Sequence, residues 1–136
     1  MSLIRNIPMS AYVLLFYNII LLINFSGGAI VLSENLMTLD LLSGAKFTLS
    51  GNELFLIIGL IFLYIEVLKS TKTSKDTIID HLFSMIVFVV FLIEFIVVEK
   101  AGNTTFLLLM LMSFFDVISG FTVSISTARR DFAMGD

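Results

Sequence analysis

Cysteine and tryptophan are both missing from this chain, and proline and histidine occur once each. The lack of cysteine removes disulfides, thiolate metal sites and cysteine nucleophiles, and leaves the redox compartment open. His81 is the only histidine, so no His/Glu cluster at metal-ligand spacing exists and the serines have no second candidate base. No glycine-rich phosphate loop follows a strand. The chain is therefore expected to be no enzyme and to hold no metal or other cofactor. Charge is scarce too: 14% of residues are charged, against about 25% in an ordinary soluble domain. A net charge of −3 is too small to point to a nucleic-acid partner.

What the chain has instead is apolar residues. They make up 58% of its 136 positions, and the mean hydropathy is +1.06. A globule this small leaves much of its surface in solvent and has no core large enough to hide them. The lipid bilayer is the partner that fits. Four runs are apolar enough to cross it: 8–32, 52–68, 77–98 and 103–128. A crossing helix needs about 20 residues, within a range of about 17–25. Each run is apolar on all sides, which excludes the period-2 strands of a barrel. The first run is longer than the apolar core of a signal peptide, so it reads as a retained helix. Pro8 suits its first turn, and Asn52 with Glu53 suits the start of the second. The expected fold is all-α: one membrane domain over 1–136, a four-transmembrane-helix bundle.

Between the first two runs lies the one sizeable segment outside the apolar stretches. Met37, Leu39 and Leu41 alternate with Thr38 and Asp40, and Ala45, Phe47 and Leu49 with Lys46, Thr48 and Ser50. This predicts a short β-hairpin over about 36–50, with a three-residue loop Leu42-Ser43-Gly44 and Gly44 in the left-handed region. Leu39 then faces Phe47, Asp40 faces Lys46, and one side is apolar. An isolated hairpin is marginal in water, so that side is expected to rest on helix ends, membrane or a neighbour.

Arg5, Lys69, Lys72, Lys75, Arg129 and Arg130 fall on one side of the bundle, and only Lys46 and Lys100 on the other. Positive residues concentrate in the cytoplasm, which predicts both termini inside and the hairpin outside. Without tryptophan, interfacial anchoring falls to Tyr12, Tyr17, Tyr64 and the flanking Lys and Arg.

Carboxylates inside apolar runs cost at least about 2.5–3.5 kcal/mol each and normally face a bundle interior. Three stand at different depths: Glu94 toward the outside, Asp116 near the centre, and Glu66 with Asp80 and His81 toward the inside. Asp80, Val87 and Glu94 share a helix face with Ser84 beside it. Ser113, Asp116 and Gly120 share another, continued by Ser124 and Thr127. These residues read either as helix-to-helix polar contacts or as a proton or ion path. Asn24, Gly27, Gly28, Gly59 and Gly120 read as helix-packing positions, because small residues let backbones approach and Asn bonds across.

Gly120-Phe121-Thr122-Val123, leading to Thr127-Ala128-Arg129-Arg130-Asp131, resembles the end of a group of small four-helix proteobacterial inner-membrane proteins of unassigned function. Ile79-Asp80-His81 followed by Glu94 is similar to the same group. The resemblance implies a fold and a bacterial inner-membrane location, and no activity. The four-helix multidrug transporters are of similar size but depend on a carboxylate in their first helix, and 8–32 has none. The leading expectation is a non-enzymatic subunit of a homo-oligomer or larger membrane complex. The alternative is a proton- or cation-conducting channel or transporter using the intramembrane carboxylates. A lipid- or quinone-binding accessory protein is a third.

Overall fold

The structure, a computed structural model, describes residues 6–71 and 76–134. Arg5, Lys72 and Lys75 of the charge count lie outside the described residues, as do the side chains of Ser124 and Thr127. The chain runs α1 (Met9–Phe25), β1 (Asn35–Asp40), β2 (Lys46–Ser50), α2 (Gly51–Ser70), α3 (Asp76–Val97), a 3-10 turn (Glu99–Ala101) and α4 (Thr104–Met134). Four helices and one hairpin are thus present, as the apolar runs and the alternation predict.

The first helix is shorter than expected. It ends at Phe25 rather than continuing to position 32. Ser26-Gly27-Gly28 terminates it: the Gly28 N–H donates to Ile23 O at 2.9 Å and the Gly27 N–H to Asn24 O at 3.4 Å. Gly27 has φ +101°. This is the Schellman pairing, which uses a left-handed residue just past the helix to satisfy its last carbonyls. A β-carbon on Gly28 would lie 2.8 Å from Ile23 O. Gly27 and Gly28 therefore close a helix and do not bring two helices together. At 17 residues α1 is about 26 Å long, whereas α2, α3 and α4 are long and apolar enough to cross a membrane.

The hairpin matches its sequence in register. Leu39 pairs with Phe47 and Asp40 with Lys46. The loop is closed by the Leu41 N–H to Ala45 O and the Gly44 N–H to Leu41 O, both at 2.9 Å, with Gly44 at φ +85°. The ladder slips between Asn35 and Met37, which leaves Leu36 as the extra residue of a bulge. Strand β2 runs straight into α2. Its last residue, Ser50, caps that helix, so the cap is two positions earlier than the expected Asn52. The Glu53 carboxylate accepts from both the N–H and the hydroxyl of Ser50, so the side chain at the third helical position closes back on the N-cap, as in a capping box. The Asn52 N–H donates to Leu32 O at 2.9 Å, which clasps the connector after α1 to the start of α2.

Helix α4 is the centre of the bundle, packed between α2 and α3, while α1 lies against α2 and α3. Aromatic rings knit the four together near the hairpin end. The Phe106 ring lies 5.2 Å from Tyr17 and 5.3 Å from Phe91, and Tyr17 lies 5.5 Å from Phe55. Phe91 and Phe106 are fully buried. Edge and tilted contacts of this kind add about 0.5–1.5 kcal/mol each beyond area burial.

Candidate functional site

Near the middle of the bundle, below the aromatic cluster, two carboxylates approach one cavity. Glu66 on α2 is 8% exposed and Asp116 on α4 is 5% exposed. The Glu66 Oε2 accepts from the Met9 N–H at 3.3 Å, which ties the first turn of α1 to α2, and from Lys69 Nζ at 3.4 Å. The Ser84 side chain of α3 lies beside the Asp116 carboxyl. Its Oδ2 is buried and has no hydrogen-bond partner among the described residues. Ser10, Gly59, Glu66, Phe91 and Asp116 help to line a cavity of about 20 Å³ between them. That is room for one water molecule, which needs about 10–15 Å³.

Glu94 stands apart from this pair. It accepts from Asn18 Nδ2 at 3.1 Å, and the same amide also donates to Leu14 O at 3.0 Å. Ten helical residues separate Glu94 from Ser84, a rise of about 15 Å. Phe91 lies between them in sequence and packs on Phe106, so an apolar layer lies between the outer carboxylate and the inner two. The expected three-step ladder is brought together only in its inner part.

The remaining predicted residues sort by what they touch. Ser113 is 1% exposed, with a hydroxyl that has no partner among the described residues. Together with buried Asp116 and Gly120 it bears out the inward face read from the spacing. Asp80 and His81 are half-buried at the start of α3. The His81 ring stacks on Phe121, with centroids 5.8 Å apart, and it occupies the space where a β-carbon on Gly120 would project. A β-carbon on Gly59 would meet Leu109 at 2.8 Å and Met112 at 3.0 Å, so this glycine does set the approach of α2 to α4. Asn24 differs from expectation. Its amide pairs with the backbone of Ile30 through bonds of 2.8 and 2.9 Å, folding the connector back on its own helix end and reaching no other helix.

Three contributors escaped the sequence reading. Asn18 and Ser10 sit in an otherwise apolar run, and polar residues there are the signal that was available. Asn103 caps α4, accepting from the Phe106 N–H at 2.9 Å, and donates to Tyr17 Oη at 2.8 Å. Among the described residues no group of three or more His, Cys, Asp or Glu is placed to hold a metal ion. Chemically, the arrangement can link helices and can hold a water or a proton at Asp116. No known protein family, curated protein or solved structure matches this chain, and the resemblance drawn at 79–94 and 120–131 gains no support from them.

Proposed function

We propose that this chain is a non-enzymatic four-helix membrane protein that serves as a subunit of an oligomeric membrane assembly, formed with its own copies or with other membrane proteins. The observation that carries the reading is the hairpin's uncovered apolar side. Met37, Leu39, Leu41 and Phe47 are each 43–48% exposed, and Leu42 at the tip is fully exposed. None of the described residues covers them, and a two-stranded hairpin is marginal alone. The intramembrane carboxylates support the same reading. Glu94 links α3 to α1 and Glu66 links α2 to α1, each as a contact between helices.

The bilayer supplies the solvent for the helix surfaces. Only 17%, 11% and 33% of the most apolar stretches of α2, α3 and α4 are buried inside the chain, and exposed apolar area on that scale marks a lipid or protein interface. In this reading the hairpin lies outside and both termini lie in the cytoplasm of a bacterial inner membrane, by the Lys and Arg count. Purification from native membranes in mild detergent, followed by mass measurement of the protein–detergent particle, tests the proposal. The expected result is an oligomer or a co-purifying membrane protein, lost in the double variant Leu39→Ser with Phe47→Ser while helical circular dichroism is retained. A monomer with no partner overturns it.

A further inference from the structure

We propose that the cavity between α1, α2 and α4 is a binding site for one exchangeable proton, held at Asp116 with a single water molecule beside it. The site is independent of the assembly reading and is not explained by it. Three observations converge. Asp116 lines the cavity, and its Oδ2 is buried with no hydrogen-bond partner among the described residues. The cavity, at about 20 Å³, has room for one water. Glu66 lines the same cavity, and Lys69 is the cation paired with it, at 3.4 Å. With all three ionised, the group of Glu66, Asp116 and Lys69 carries one net negative charge. Two carboxylates on one cavity in an apolar surrounding do not both ionise against Lys69, the one cation paired with them among the described residues. One proton brings the group to neutrality. Lys69 sits on Glu66, which assigns that proton to Asp116.

The surroundings agree. From α1 the cavity receives Ser10, whose hydroxyl has no partner among the described residues, while the Met9 N–H holds Glu66. From α3, Ser84 lies beside Asp116, with Asp80 and His81 at least three residues further toward the start of that helix. From α4 itself, Ser113 lies three residues before Asp116. A sodium ion is the alternative occupant, and it needs several oxygen ligands, whereas the cavity's side-chain oxygens come from Ser10, Glu66 and Asp116 alone. A proton needs only one.

Dicyclohexylcarbodiimide reacts with protonated carboxyls in apolar surroundings and serves as the probe. The full-length protein in liposomes is treated across a pH series, and labelled peptides are mapped by mass spectrometry. The expected outcome is modification of Asp116, falling at the alkaline end by about tenfold per pH unit. Asp116→Asn loses the label. In Glu66→Gln, Lys69 becomes the counter-charge of Asp116, and labelling at neutral pH drops several-fold. Circular dichroism of each variant keeps misfolding separate from loss of the site. The proposal is overturned by a folded wild-type protein unlabelled at Asp116 at every pH, or by equal labelling in Glu66→Gln. Suppression of the label by sodium but not by choline chloride also overturns it, assigning the cavity to a metal cation.

Discussion

A polar side chain in an apolar helix is informative only when its partner is known. Asn18 and Glu94 meet across the α1–α3 contact at 3.1 Å, and neither is free to serve a pathway without breaking that bond. Interhelical hydrogen bonds inside membranes average about 0.6 kcal/mol and reach about 1.7. A double-mutant cycle with Asn18→Ala and Glu94→Ala is expected to show coupling in that range, read from unfolding in mixed detergent micelles. Gly120 makes a different kind of residue-scale demand. Its missing side chain is the space taken by the His81 ring, so Gly120→Ala is expected to cost about 1–3 kcal/mol by overpacking. Adding His81→Ala to that variant should recover part of the loss. Equal stability of Gly120→Ala and wild type in the same unfolding assay would contradict the contact.

Among the elements, the hairpin shows how far local chemistry reaches. Its loop depends on Gly44 at φ +85°, a region that costs other residues about 1–2 kcal/mol. Gly44→Ala is expected to open the hairpin and speed hydrogen exchange at the ladder residues Leu39 and Phe47, whose N–H groups face the partner strand, by about 5- to 30-fold. The helices α2 to α4 should be unaffected. Gly44→Asn should do less damage, because Asn tolerates the left-handed region. Helix α1 carries the opposite lesson. Apolar side chains continue from Phe25 through Ile30 to Leu32, so composition alone runs the helix on to position 32. The Schellman closure at Ser26-Gly27-Gly28 ends it seven residues earlier, and Asn24 then fastens the released chain through Ile30. The glycine pair was a stop signal that the apolar run concealed.

At the scale of the whole molecule, the bundle is more open than a water-soluble protein of its mass. Its accessible surface is 9402 Å², where a compact monomer of 15.2 kDa would show about 7,100 Å². The excess belongs to apolar helix faces and to the hairpin, in line with lipid or neighbouring subunits completing the fold. The absence of native cysteine makes the orientation simple to measure. With Ser43→Cys, a membrane-impermeant maleimide is expected to label intact cells. With Ala133→Cys, labelling should require permeabilisation. The reverse pattern would invert the assignment drawn from the Lys and Arg count.

Four helices and a hairpin with Leu39 opposite Phe47 follow from the sequence by itself, because both rest on short-range patterns. A run apolar on every side has no stable conformation in lipid but a helix, and strict alternation with a glycine at the turn specifies its own register. The inward face of Ser113, Asp116 and Gly120 was legible for the same reason, being a matter of helical spacing. Which polar groups meet was decided only by the tertiary structure. Whether Glu94 finds Asn18, and whether Glu66 and Asp116 converge on one cavity while Glu94 stands beyond an aromatic layer, depends on how each helix is rotated and how far it slides. Those two variables are set by packing on the neighbours, above all on Phe106 and Gly59, and no periodicity within one helix encodes them.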